Sequence, residues 1–281
     1  MFKFLDAYSL RARLFPAILA VAPALAALAL LISWEKIALS NLIATAALLV
    51  LVFALADFAR KLGLRVEPKL YAEMGGKPSV MMFRRSDTTI EAPTKDRYRT
   101  FLAGKIKQHV PTADQEATNQ AGADAFYQSC GTWLRSNTRD AKKFPLLFGE
   151  NVGYGFRRNL FGLKWPALAL NIVVVAICAW ILWHRGILDM DNDLTMRTVV
   201  VLIIAAIHAL YFALVVTKEG VKEASRRYGR EMILCTETLS GSARAHNKKA
   251  RRWTGLFLLA IIFLVSSQPS CGCCRSSSRP S

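Results

Sequence analysis

The chain has 281 residues, of which 53% are apolar, and its 37 Lys and Arg against 20 Asp and Glu give a net charge of +17. A chain this apolar is not intrinsically disordered, because disorder combines high net charge with low hydrophobicity. A chain this basic is also unlike an ordinary soluble enzyme. Apolar and basic residues coexist most easily in separate segments, so the composition predicts an integral membrane protein with basic ends at the lipid surface.

Four segments are long and apolar enough to cross a bilayer, which takes about 20 residues of helix. They are residues 14–33, 37–56, 165–184 and 199–217, and none contains Lys, Arg, Asp or Glu. A backbone in lipid must satisfy its own polar groups, so each span is expected to be helical. The first has the basic start of a signal peptide, but it is longer than such an apolar region and a second span follows closely, so a hairpin is favoured.

The distribution of charge predicts the orientation of these spans. Net charges are +2 for residues 1–13, +9 for 58–164 and +8 for 218–281, against zero for 34–36 and −1 for 185–198. The positive-inside rule places the three basic segments in the cytoplasm, and both termini with them. The expected fold is therefore an all-α membrane protein, with two transmembrane helical hairpins joined by a mainly helical cytoplasmic insert. Anionic lipid headgroups are the expected partner of this charge, and nucleic acid is not.

Residues 58–164 form the basic cytoplasmic insert. Three features are expected to break the chain after the second span, namely Pro68, the Gly75-Gly76 pair and Pro78. Residues 79–83 are read as a short strand. Apolar residues near 3.6-residue spacing predict helices over 95–108 and 124–137. The insert lacks the alternating strands and helices that are typical of an independent enzyme fold.

The end of the insert, residues 144–164, reads FPLLFGENVGYGFRRNLFGLK. It lacks the Gly-Lys-Ser/Thr ending of a phosphate-binding loop. We expect an interfacial segment, with its aromatic rings at headgroup depth and its arginines on lipid phosphates. The alternative is a ligand site, since the glycines would permit close approach to the backbone. The candidates for binding a ligand or a lipid headgroup are Arg157, Arg158, Asn151 and Tyr154.

Three short runs in this region resemble uncharacterised bacterial four-span inner-membrane proteins. They are Thr-Arg-Asp at 138–140, Lys-Phe-Pro-Leu-Leu at 143–147, and Tyr-Gly-Phe-Arg-Arg-Asn-Leu at 154–160. The resemblance covers about the middle third of the chain and implies a bacterial inner membrane. That family has no established activity, so the resemblance transfers no catalytic residue.

The C-terminal region begins with a predicted amphipathic cytoplasmic helix over residues 218–252. Its apolar residues recur at steps of three or four, which favours packing on the insert, with a homo-oligomer contact as the alternative. Residues 253–267 would make a helix of about 22 Å, short of the ~30 Å hydrocarbon core. An interfacial helix is therefore expected there, with a fifth span as the alternative. The remaining Cys- and Ser-rich tail of segment 253–281 is expected to be disordered.

Reactive side chains do not form a recognisable catalytic or metal-binding pattern. The four histidines are scattered without metal-ligand spacing, so we predict no metal, no cofactor and no catalytic residue. The polar residues predicted to lie within the membrane are His208, Asn171 and Asn41. His208 is expected to be a neutral, hydrogen-bonded packing residue, with a proton relay as the alternative.

These observations favour a non-enzymatic, membrane-anchored scaffold or effector with a cytoplasmic sensing or interaction surface. A small oligomeric channel or transporter is the first alternative, and it requires a polar stripe shared by the spans. A membrane enzyme acting at Gly149–Lys164 is the second, and it requires Arg157, Arg158, Glu150 and Asn151 to converge on a closed pocket.

Overall fold

The computed structural model of the chain describes residues 7–32, 41–185 and 192–241. Every regular element within these ranges is a helix, so the all-α prediction is confirmed there. In chain order the elements are α1 (Ala7–Ser9), a π-helical turn (Leu10–Leu14), α2 (Phe15–Leu31), α3 (Asn41–Glu73), α4 (Pro78–Met81), α5 (Ala92–Ile106), α6 (Ala113–Thr118), α7 (Gln120–Asn137), α8 (Pro145–Gly162), α9 (Lys164–Arg185), α10 (Asp193–Leu214) and α11 (218–241).

The chain divides into two compact units, Met1–Cys235 and Thr236–Ser281. Residues 236–241, the described part of the second unit, continue the helical conformation of α11. The predictions for 253–267 and for the tail lie outside the described residues, as does the end of the predicted helix over 218–252.

Three helices in the described part of the chain are long and apolar enough to cross a membrane, namely Leu10–Leu31, Lys164–His184 and Asp193–Leu214. They correspond to the first, third and fourth predicted spans. The second predicted span, 37–56, begins outside the described residues and enters them at Asn41, the start of α3. The three helices support a membrane protein, whereas the arrangement of four spans in two hairpins stays a prediction.

The three apolar helices pack through small and branched side chains and leave large ones exposed. Val174 and Cys178 of α9 and Val201 of α10 form a buried cluster against α2. On the outer faces, Ile172 of α9 is 70% exposed and Ile207 of α10 is 65% exposed. Exposed apolar faces of this kind suit contact with lipid tails, because water would make them costly.

The bounds of α10 differ from those predicted for the fourth span, 199–217. The Asn192 side chain accepts a hydrogen bond of 3.0 Å from the backbone N–H of Leu194, so the helix begins at Asp193. Asp193 forms an ion pair of 2.7 Å with Arg197, one turn later. Because the two charges are paired, the first turns of α10 can contain charged residues. The helix ends at Leu214, three residues before the predicted end.

Pro68 does not break the chain, contrary to the prediction, because α3 runs through it from Asn41 to Glu73. A proline inside a helix removes one backbone hydrogen bond and costs about 3 kcal/mol. Beyond Pro68, Leu70 packs with Tyr154, Val221 and Ala224 in a buried cluster. This packing favours continuation of the helix and offsets the missing bond.

The short strand predicted over 79–83 is also wrong. Residues Pro78–Met81 form the helical turn α4, with Pro78 in the first turn, where its fixed φ suits a helix. Phe83 follows and is fully buried. Its carbonyl accepts a hydrogen bond of 3.0 Å from Nε of Arg99 on α5, and Arg99 is itself only 2% exposed. The apolar run is buried by packing on neighbouring helices, and this packing does not require strand pairing.

Candidate functional site

Helices α3 and α8 cross at a pair of glycines. A Cβ atom on Gly162 would lie 2.6 Å from the backbone nitrogen of Gly63, and one on Gly63 would lie 2.1 Å from Oδ1 of Asn159. Both glycines are therefore required by the close approach of two helices. Gly149 and Gly153, in the same predicted ligand tract, have open space where a Cβ would be added. Of these three glycines in the tract, only Gly162 serves helix packing at the crossing.

Just beyond the crossing lies a polar cluster, here defined as Glu67, Tyr71, Tyr154, Arg158 and Asn159. The last three are buried, and Glu67 and Tyr71 are half-buried. The Tyr154 hydroxyl donates to Oε1 of Glu67 at 2.5 Å, and the Tyr71 hydroxyl donates to the same oxygen at 3.0 Å. Nη1 of Arg158 donates to that oxygen at 3.3 Å, forming an ion pair between α8 and α3. Three donors from two helices therefore converge on one carboxyl oxygen.

Both tyrosines of the polar cluster keep their protons near neutral pH. Burial raises the pKa of Tyr71 to about 12, and the nearby Glu67 charge adds to this increase. Burial also raises the pKa of Tyr154, and Tyr71 and Glu67 raise it further. A protonated phenol donates a hydrogen bond, so both hydroxyls are held as donors to Glu67.

Asn159 connects the polar cluster to the N-terminal segment. Its Nδ2 donates to the Ala12 carbonyl at 2.6 Å, within the π-helical turn Leu10–Leu14 that precedes α2. Its Oδ1 accepts from both Nε and Nη2 of Arg158 at 3.3 Å. Because Asn159 is fully buried, each of these bonds replaces one to water. The first span, α3 and α8 are thereby joined by one hydrogen-bonded network.

The structure brings together two of the residues predicted to bind a ligand or a headgroup, Tyr154 and Arg158, and both are buried. Arg157 points elsewhere and lines a cavity of about 140 Å³ with residues from the end of α10 and the start of α11. Glu150 pairs with Arg227 of α11 at 3.4 Å. Asn151 lines a different cavity. The enzyme alternative requires Arg157, Arg158, Glu150 and Asn151 to converge on one pocket, and they do not.

The location of Asn151 is a cavity of about 540 Å³, here called the basic cavity. It lies between α7, the loop after that helix, α8 and α11. Its lining consists of Tyr8, Thr132, Arg135, Ser136, Thr138, Arg139, Ala141, Leu147, Phe148, Asn151 and Tyr228. Two arginines and no acidic residue occur in this lining, so the field inside it favours anions.

Sequence reasoning missed Glu67, Tyr71 and Asn159 of the polar cluster, and both arginines of the basic cavity. Glu67 and Tyr71 lie four residues apart on α3, and Gly63 precedes Glu67 by another four. This spacing places one small and two polar residues on a single helix face. That stripe was the available signal for a polar contact with another helix.

The residues predicted to be polar groups within the membrane are partly brought together. Nδ2 of Asn171 on α9 lies 3.2 Å from Nδ1 of His208 on α10, and it also donates to the Ala205 carbonyl at 2.9 Å. Both side chains are buried between the helices. Asn41 begins α3, and its side chain lies outside what the structure describes. No group of three or more potential metal-ligating His, Cys, Asp or Glu occurs among the described residues.

The buried thiols provide a first prediction. Burial raises the pKa of the Cys130 thiol to about 12 and that of the Cys235 thiol to about 11. Because the thiolate is the nucleophile, both cysteines should resist alkylation in the folded protein at pH 8. We expect tryptic mass spectrometry to find iodoacetamide adducts on them only after denaturation. Rapid labelling of either residue in the native protein would contradict this burial.

No family model, curated protein or solved structure matches this chain. The structure itself therefore defines the class: the described part of the chain is all-helical, and three of its helices are long and apolar enough to cross a membrane.

Proposed function

We propose that the chain is a non-enzymatic effector or scaffold anchored in a bacterial inner membrane. In this proposal α4 to α7, with the polar ends of α3 and α8 and the start of α11, form a cytoplasmic body. That body binds a ligand or partner. Binding shifts the body, and the shift moves the spans. The basic segments at 1–13, 58–164 and 218–281 support this orientation, since positive charge favours the cytoplasmic side.

The observation that carries the proposal is the position of the polar cluster at the junction of body and spans. Asn159 of α8 holds the π-helical turn that leads into α2, and Arg158 of α8 holds Glu67 of α3. Helix α8 itself leads into α9 with Leu163 as the intervening residue. A displacement of α8 would therefore act on α2, α3 and α9 together.

The described residues give less support to the two alternatives. A channel requires a polar path, but Asn171 and His208 are buried against each other while the exposed faces of α9 and α10 are apolar. An enzyme requires reactive groups in one pocket, and Arg157, Asn151 and Glu150 lie in separate places. We therefore favour membrane lipids as the partner of the apolar faces, with a homo-oligomer contact as a further proposal.

Hydrogen–deuterium exchange of the reconstituted full-length protein tests this coupling. In Glu67→Gln, the carboxylate that unites the polar cluster is lost, so amide exchange should rise in α8 and also around Ala12. The matched control is Glu150→Gln, which removes an acid from a half-exposed pair with Arg227 on the same body. We expect the control to leave exchange around Ala12 unchanged.

An increase confined to α3 in Glu67→Gln would contradict the coupling. The channel alternative is tested separately by ion flux in the same vesicles. We expect no flux at any applied potential, and a flux that Asn171→Leu abolishes would overturn the proposed function.

A further inference from the structure

Two exposed arginines and no acidic residue line the basic cavity. Arg135 and Arg139 line it, and neither forms an ion pair with a described residue. Nη2 of Arg135 donates to Oγ1 of Thr132 at 3.2 Å, which leaves its other donors available. The adjacent acid Asp140 is engaged by the backbone N–H groups of Lys142 and Lys143 at 2.9 and 3.3 Å. Two guanidinium groups therefore share a concave surface without a compensating carboxylate in its lining.

Further donors line the same cavity. The Asn151 amide has no hydrogen bond to a described residue and can donate into the cavity. Tyr228 is half-buried, and burial raises the pKa of its hydroxyl, although the nearby Arg135 charge opposes the shift. The Tyr228 hydroxyl is therefore a donor at neutral pH. The set of guanidinium, amide and phenol donors matches an acceptor-only ligand such as phosphate.

The cavity also has aromatic walls and the volume of a ligand site. Phe148, Tyr8 and Tyr228 line it, and the Tyr228 ring is fixed by stacking on Tyr154 of the polar cluster at 6.0 Å between ring centroids. Its volume of about 540 Å³ lies within the roughly 300–1,000 Å³ that is usual for small-molecule pockets. Aromatic walls beside charged donors suit a ligand with both a phosphate group and an apolar or planar part.

We propose that the basic cavity binds a phosphate-bearing anion, with Arg135 and Arg139 on the phosphate oxygens and Asn151 as an additional donor. The role of this ligand as the signal rests on the proposed function, because Tyr228 links the cavity to the polar cluster. Binding itself does not depend on that role. The same phosphate chemistry occurs in soluble phosphate esters and in lipid headgroups, and the two sources are separable by experiment.

The test is isothermal titration of sodium pyrophosphate into the full-length protein, first in neutral detergent micelles. We expect saturable binding at fixed ionic strength. Arg135→Gln and Arg139→Gln should each weaken the affinity about tenfold, because each removes a charge-assisted contact to phosphate. The matched control is Arg226→Gln, an exposed arginine of α11 outside the cavity lining, which changes net charge equally and should alter the affinity less than twofold.

A second arm uses nanodiscs of phosphatidylcholine with and without phosphatidylglycerol. Pyrophosphate binding that is equal in both discs indicates a soluble ligand. If phosphatidylglycerol suppresses pyrophosphate binding, and this suppression is lost in Arg139→Gln, a lipid headgroup occupies the cavity. Either result supports the phosphate site.

The site is overturned if the titration shows no binding either in micelles or in discs without phosphatidylglycerol. It is also overturned if Arg226→Gln weakens binding as much as the cavity variants do. Thermal melting of each variant shows whether it is folded. Failure of the proposed function is a different result, in which pyrophosphate binds normally but hydrogen exchange around Ala12 does not respond to it.

Discussion

Replacing Arg158 by Leu is expected to lower the free energy of unfolding by about 3 kcal/mol, since it leaves the Glu67 carboxylate without its cation at a poorly solvated position. The Arg158 side chain is 10% exposed and that of Glu67 is 22% exposed. Because the pair is not fully buried, we expect the lower end of the roughly 3–5 kcal/mol that breaking a buried ion pair costs. Asn159 also loses both donors to its Oδ1. Denaturant unfolding in detergent, followed by circular dichroism, measures the change.

The control for this prediction is Arg227→Leu. Arg227 is 44% exposed and pairs with Glu150 and Glu223, so its loss should cost less than about 1 kcal/mol. The double variant Glu67→Gln with Arg158→Leu should recover part of the loss, because no unpaired charge is then left behind. If the double variant were less stable than Arg158→Leu by the full cost of Glu67→Gln alone, the two residues would not be coupled.

Much of the fold could be predicted from sequence because lipid imposes a simple rule on composition. Residues 165–184 had to form a helix, since no other local structure satisfies an isolated backbone segment in an apolar medium. The prediction at Pro68 was wrong because the effect of a proline on a helix depends on how the residues after it are packed. Leu70 is buried against α8 and α11, and that packing partner lies far away in sequence.

The candidate site was less predictable, although two of its residues were identified. Tyr154 and Arg158 were expected at a lipid surface, where an arginine next to aromatic residues is common. Their actual partner, Glu67, lies 91 residues before Arg158, and nothing local to either residue indicates the pairing. The basic cavity was missed for a similar reason. Arg135 and Arg139 occur among polar residues of α7 and the loop after it, and only the fold places them opposite Asn151.

Gly162→Ala is expected to destabilise the protein by about 3 kcal/mol, the upper part of the usual range for overpacking, because the obstacle is backbone. The added Cβ would lie 2.6 Å from both the Gly63 nitrogen and the Leu62 carbonyl carbon. A side chain could rotate away, but these atoms belong to α3, so the two helices must separate. Separation would also lengthen the contacts between Glu67 and Arg158. Thermal unfolding of the variant and the native protein in one detergent measures the loss.

The matched control is Gly153→Ala, the same substitution on the same helix. The Cβ that it would add meets no atom of another helix within 4 Å. The variant should therefore stabilise α8 by about 0.5–1 kcal/mol through the better helix propensity of alanine. Both substitutions reduce the conformational entropy of the unfolded chain by a similar amount. They differ in whether the added Cβ contacts α3. Opposite signs of the two changes would establish that α3 and α8 touch at Gly63 and Gly162. Equal changes would mean that the helices do not cross there, and the polar cluster that depends on this crossing would lose its basis.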